Sequence, residues 1–181
     1  DRLARKHLLY HSPLPHTQRL FIKGHFLAAA PILAQRYPDA VFMTMVREPD
    51  RSLQSFINFL RCTSNHDPLM GPLPWEWLAD GLAHDTIDYC EQEMEWYTAE
   101  DGVQKVVVRF HDYSKDLPTT MQYIYHKCLQ KPVPATVPRE RHTRKREEYT
   151  VNRSLADMGV DTERLRKRLA AYVQWCQGEQ K

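Results

Sequence analysis

Lys23 and His25 stand two residues apart in "RLFIKGHF", where a short apolar run gives way to an alanine-rich one. A neutral imidazole can take the proton from an attacking hydroxyl or amine near pH 7, and a neighbouring ammonium can neutralise charge building on a leaving oxygen. Gly24, between them, lets a ligand come close to the backbone. A second pair lies in "VREPDRSLQS", where Ser55 follows Arg47 by eight residues. A guanidinium binds phosphate at two points, and a hydroxyl near the free N–H groups of a helix start completes a phosphate receptor. Plainer readings stand beside these. A Lys and a His just past a strand are commonly solvated, and Arg47 has Glu48 and Asp50 nearby as surface partners of little energetic value. Ser55 alone reads as a solvent-facing helix serine.

The elements that must position these residues can be read from periodicity. Residues 19–23 (RLFIK) and 41–46 (VFMTMV) are β-branched or aromatic runs that predict buried strands. Between them "FLAAAPILAQRYPDA" predicts a helix, with Pro31 in its first turn and Tyr37-Pro38-Asp39 ending it. Pro49-Asp50 opens a second helix with Leu53, Phe56, Ile57 and Leu60 on one stripe, placing Ser55 on the opposite side. Residues 63–74 read as loop, and a helix follows near 84–99 with Ile87, Cys90, Met94 and Tyr97 on one face. After a turn at Glu100-Asp101-Gly102, "KVVVRF" (105–110) is the clearest strand. Leu117-Pro118 opens a helix striped by Met121, Ile124, Tyr125, Cys128 and Leu129. A last helix carries Leu165, Leu169, Tyr172, Val173 and Cys176.

This alternation predicts one α/β domain over residues 1–181, a mostly parallel sheet with helices on both faces. Three strands make a thin sheet, so a further strand is expected upstream of Asp1. Ligands of parallel sheets sit beyond the carboxyl ends of the strands, an edge that Lys23, His25 and Arg47 would share.

Composition excludes several classes. A formal net charge of +2 over 181 residues gives no global field for nucleic acid, leaving only the short basic run at 139–146 for that reading. No apolar run approaches the roughly 18 residues of a membrane span, and no signal peptide is evident. Cys62, Cys90, Cys128 and Cys176 form no CxxC pair, so core packing is expected of them rather than metal binding.

The combined motifs resemble the sulfotransferases that use 3′-phosphoadenosine-5′-phosphosulfate (PAPS). "IKGHF" resembles the family's Lys-Thr-His-Leu segment, and "RYPDAVFMTMVREPDRSLQSFINF" its 3′-phosphate segment. "VVVRFHDYSKDLPTTMQYIY" is similar to its strand, Tyr-Glu-Asp-Leu and helix. The resemblance covers about residues 19–130 and, more loosely, continues to 177. It implies a three-layer, P-loop NTPase-like fold. It also implies a general base at His25, a contact to the transferring end at Lys23, and a 3′-phosphate held by Arg47 and Ser55. "HTRKREEY" corresponds to the family's late Arg-Lys segment, adding Arg144 and Lys145, though Arg-Lys-Arg-Glu replaces Arg-Lys-x-Gly. Phe110 stands where the family has a Tyr. No Pro-Lys-Ser-Gly-Thr-Thr loop precedes Gly24, which implies that these residues represent the C-terminal two-thirds of the family fold. The implied cofactor is PAPS, with 3′,5′-adenosine bisphosphate as product. The acceptor class stays open among glycan, protein, lipid and small molecule, and the compartment between cytoplasm and Golgi lumen. The competing expectation is a catalytically inactive nucleotide-binding or protein-interaction module on the same fold.

Overall fold

The computed structural model describes residues 21–66, 75–130, 132–133 and 154–178. Strands β1 (Val41–Val46) and β2 (Gln104–Arg109) pair in parallel, Val41 opposite Gln104 and Val46 opposite Arg109. Parallel neighbours need a long crossover, and helices α2 (Pro49–His66) and α3 (Trp75–Thr98) lie between them in the chain. Helix α1 (Ala30–Arg36) precedes β1. Helices α4 (Phe110–Lys115) and α5 (Leu117–Ile124) follow β2, and α6 (Thr162–Arg168) and α7 (Ala170–Gln177) come last. The chain is α/β and mostly helical, with a two-stranded parallel sheet among the described residues.

Local chemistry explains most of these boundaries. Pro31 sits in the first turn of α1, where its missing N–H is not needed. Pro38 disfavours the helical conformation at Tyr37, which stops α1 at Arg36 (Tyr37 φ −132°, ψ 77°). The Asp116 side chain accepts from the Thr119 N–H and caps α5, and Asp161 does the same for α6 through Arg164. Gly102, at φ +78°, makes the turn into β2.

The two faces of the sheet meet different helices. Thr44 and Phe42 point to α3, where Phe42 meets Trp96 edge to face at 5.9 Å. On the other face Met43 Sδ lies 4.0 Å from Cys128 Sγ, in the π-helical turn Tyr125–Leu129 that extends α5. The principal core joins Val46 to Leu53 and Ile57 of α2, Cys90 of α3, and Leu165, Leu169, Tyr172, Trp175 and Cys176.

Several expectations change. Residues 21–23 are not a strand, and Phe21 and Ile22 are exposed. An apolar run carries no information about a pairing partner, and neither β1 nor β2 pairs with residues 21–23. Phe110 leaves the sheet and starts α4, because pairing ends at Val46 and Arg109. Helix α3 begins at Trp75 rather than near 84, since Ala79, Leu82 and Ala83 extend its apolar stripe into the core. Phe56 is 44% exposed, while Leu53 and Ile57 fill the buried stripe. The last helix is two, broken at Leu169 (φ −101°, ψ 28°), though Leu165, Leu169, Tyr172 and Cys176 of its predicted stripe do reach the core.

Candidate functional site at the carboxyl ends of the strands

Because Val46 faces Arg109, Arg47 and Phe110 leave the sheet side by side at its carboxyl edge. The Arg47 guanidinium carbon lies 4.3 Å from the Phe110 ring centroid. This cation–π contact restricts where a half-buried guanidinium can point. Phe110 thus supplies a platform through its face.

Of the two acids following Arg47, Asp50 is held elsewhere. Asp50 is buried, and its Oδ2 accepts from Arg166 Nη2 of α6 at 2.7 Å. That hydrogen bond, with the Asp50 charge, holds the Arg166 guanidinium above the usual arginine range. Asp50 is therefore a tie between α2 and α6 rather than the surface partner of Arg47. Ser55 is exposed on α2, opposite Leu53 and Ile57, as the periodicity predicts. Arg51 is also exposed and stands one turn before Ser55. It was not among the sequence candidates, although its four-residue helical spacing from Ser55 was the signal that could have found it.

Arg109, at the end of β2, serves packing. A Cβ on Gly178 would lie 3.1 Å from Arg109 Nε, so glycine lets the guanidinium lie against the end of α7. Gly178 holds φ +81°, and the carbonyl end of a helix favours a cation there.

Lys23 and His25 are both exposed, ahead of the 3-10 turn at Leu27–Ala29. Among the described residues neither forms a hydrogen bond or ion pair with Arg47 or Ser55. The space beside Gly24 is filled by the chain's own ring, since a Cβ there would lie 2.6 Å from Phe26 Cζ. Arg144 and Lys145 lie outside the described residues.

A polar cluster that sequence reasoning missed sits behind β1. Glu93 is 4% exposed and accepts two hydrogen bonds of 2.5 Å, from Thr44 Oγ1 and from the Tyr172 hydroxyl. It joins β1, α3 and α7. Burial, reinforced by the Glu93 charge, pushes the Cys90 thiol up to about 12 and the Tyr172 hydroxyl far above the usual tyrosine range. Burial also pushes the Cys176 thiol up to about 12, with Glu48 and Glu93 adding to it and hydrogen bonding with Tyr172 working against it. These groups stay protonated and structural. Among the described residues no three His, Cys, Asp or Glu side chains are grouped to hold a metal ion.

Arg47 at the strand end, with the exposed Arg51 and Ser55 on the helix that follows, supplies donor types that suit an anion. Comparison of the chain with protein-family models, curated proteins and solved structures finds no match.

Proposed function

We propose that the chain carries the 3′-phosphate and acceptor-side parts of a PAPS-dependent sulfotransferase, on a P-loop NTPase-like fold of which the β1–β2 pair is a portion. One observation carries this reading. A parallel strand delivers Arg47 to the carboxyl edge of the sheet and leads directly into a helix whose outer face presents Ser55. The oriented Arg47 guanidinium and the Ser55 hydroxyl fit the donors that a ribose 3′-phosphate needs. PAPS, when bound, supplies the sulfuryl group. His25 takes the proton of the attacking hydroxyl or amine, Lys23 neutralises charge on the departing side, and Arg144 and Lys145 close on the 3′-phosphate. Such loose displacements depend mainly on alignment and charge neutralisation, which are what these residue types provide.

A second reading, a nucleotide-binding module without transfer activity, is favoured by the exposure of Lys23 and His25 on a segment outside the sheet. One experiment separates them. Thermal shift with 3′,5′-adenosine bisphosphate is measured on the wild type and Arg47→Ala, alongside sulfuryl transfer from labelled PAPS to glycan, tyrosyl-peptide, lipid and phenol acceptors. The first reading expects stabilisation that Arg47→Ala abolishes, and transfer that His25→Ala abolishes while binding persists. Binding without transfer to any acceptor selects the second, and full activity in His25→Ala rejects that base.

A further inference from the structure

"REPDRS", residues 47–52, holds two arginines and two acids and reads as locally neutral. The fold separates those charges. Asp50 is buried against Arg166, 2.7 Å from its guanidinium. Asp50 therefore serves the interior side of α2. Arg51 is left exposed on the outer side, without an ion pair among the described residues, one helical turn from the exposed Ser55. Side chains four apart on a helix have Cβ atoms about 5–6 Å from each other, so a guanidinium and a hydroxyl there can reach one tetrahedral anion.

We infer that Arg51 is a further binding residue, which shares a ribose 3′-phosphate with Arg47 and Ser55 and makes the site select nucleotides bearing that group. The inference rests on the sulfotransferase reading and adds a residue to its site. A phosphate monoester carries about −1.5 to −2 charge near pH 7 and offers three acceptor oxygens. A lone surface cation would add little. Charge-assisted bonds from two guanidiniums and a hydroxyl converging on one dianion are stronger and geometrically selective. Asp50, held inward against Arg166, does not compete for Arg51.

The test is calorimetric titration of 3′,5′-adenosine bisphosphate and of adenosine 5′-monophosphate into the wild type, Arg51→Ala, Arg51→Lys and Arg47→Ala, with circular dichroism confirming each fold. Arg51→Ala is expected to weaken the bisphosphate about tenfold, with Arg51→Lys in between and the monophosphate changed less than about twofold. Unchanged bisphosphate affinity in Arg51→Ala, with Arg47→Ala impaired, overturns the role of Arg51 and leaves the reading of the site standing. Equal weakening of both nucleotides overturns the selectivity. A wild type that binds no bisphosphate, or an Arg47→Ala that binds it normally, overturns the sulfotransferase reading and this inference together.

Discussion

Around Tyr172 a buried carboxylate receives two hydroxyl donors at 2.5 Å, while along residues 21–26 every side chain is exposed. The first region joins three elements through one side chain and lies within the continuous core of α2, α3, α6 and α7. The second holds the candidate base and its lysine. Stability and candidate chemistry therefore occupy different parts of the molecule, and Arg47 stands at their boundary, half-buried against Phe110. A residue in the first region cannot change without a cost in folding. One in the second can change freely, so its effect on activity can be read without correction for stability.

Substitutions in the two regions test that separation most strongly. Trp175 is 5% exposed and meets Tyr172 edge to face at 5.4 Å. Trp175→Ala leaves a core cavity and should destabilise by about 3–5 kcal/mol in urea or guanidinium titrations. Ile22→Ser, at a position 59% exposed, should stay within about 0.5 kcal/mol. A large cost at Ile22 would show that residues 21–26 are packed, and the separation would fail.

A smaller effect isolates the polar contacts from the surrounding packing. Tyr172→Phe retains the ring and removes one donor to Glu93, for an expected loss of about 1–2 kcal/mol. Thr44→Val removes the other donor. The double variant should depart from the sum of the singles, because both hydroxyls share one carboxylate. Additive losses would mean that the two bonds are independent, and Glu93 would not couple β1 to α7.

What the sequence showed, and what it hid, follows from the range of the interactions. The β1 run Val41–Val46, the helix start at Pro49 and the Leu117-Pro118 start of α5 depend on a few adjacent residues and were legible. The RLFIK run looked like a strand because it is apolar, but strands require partners that the run itself does not name. Glu93 sits among Glu91, Gln92 and Glu95 and looks like surface. Only Thr44, 49 residues away, and Tyr172, 79 residues away, make it interior. Of the candidate site, the outward phase of Ser55 was readable from helical spacing. The Phe110 platform under Arg47 needed the parallel register, and the pairing of Asp50 with Arg166 needed α6.

The smallest effect near neutrality is one of pH, and it sharpens the comparison because the shifted groups belong to the buried region. Burial pushes Cys90 and Cys176 from 9.0 up to about 12, and Tyr89 from 10.0 up to about 12, while Tyr97 and Tyr172 are raised further. Below about pH 9 these groups are protonated in both folded and unfolded chains and leave stability unchanged. Above that, the unfolded chain releases protons that the folded chain retains, so stability falls as pH rises from 9 toward 12. Urea midpoints taken from pH 7.5 to 10.5 should be flat and then decline. Replacing Cys90 and Cys176 together by Ala should delay the onset toward the tyrosine range, whatever it costs at neutral pH. A midpoint that stays level through pH 10.5 in the wild type would mean that the buried thiols ionise as readily inside the fold as outside it.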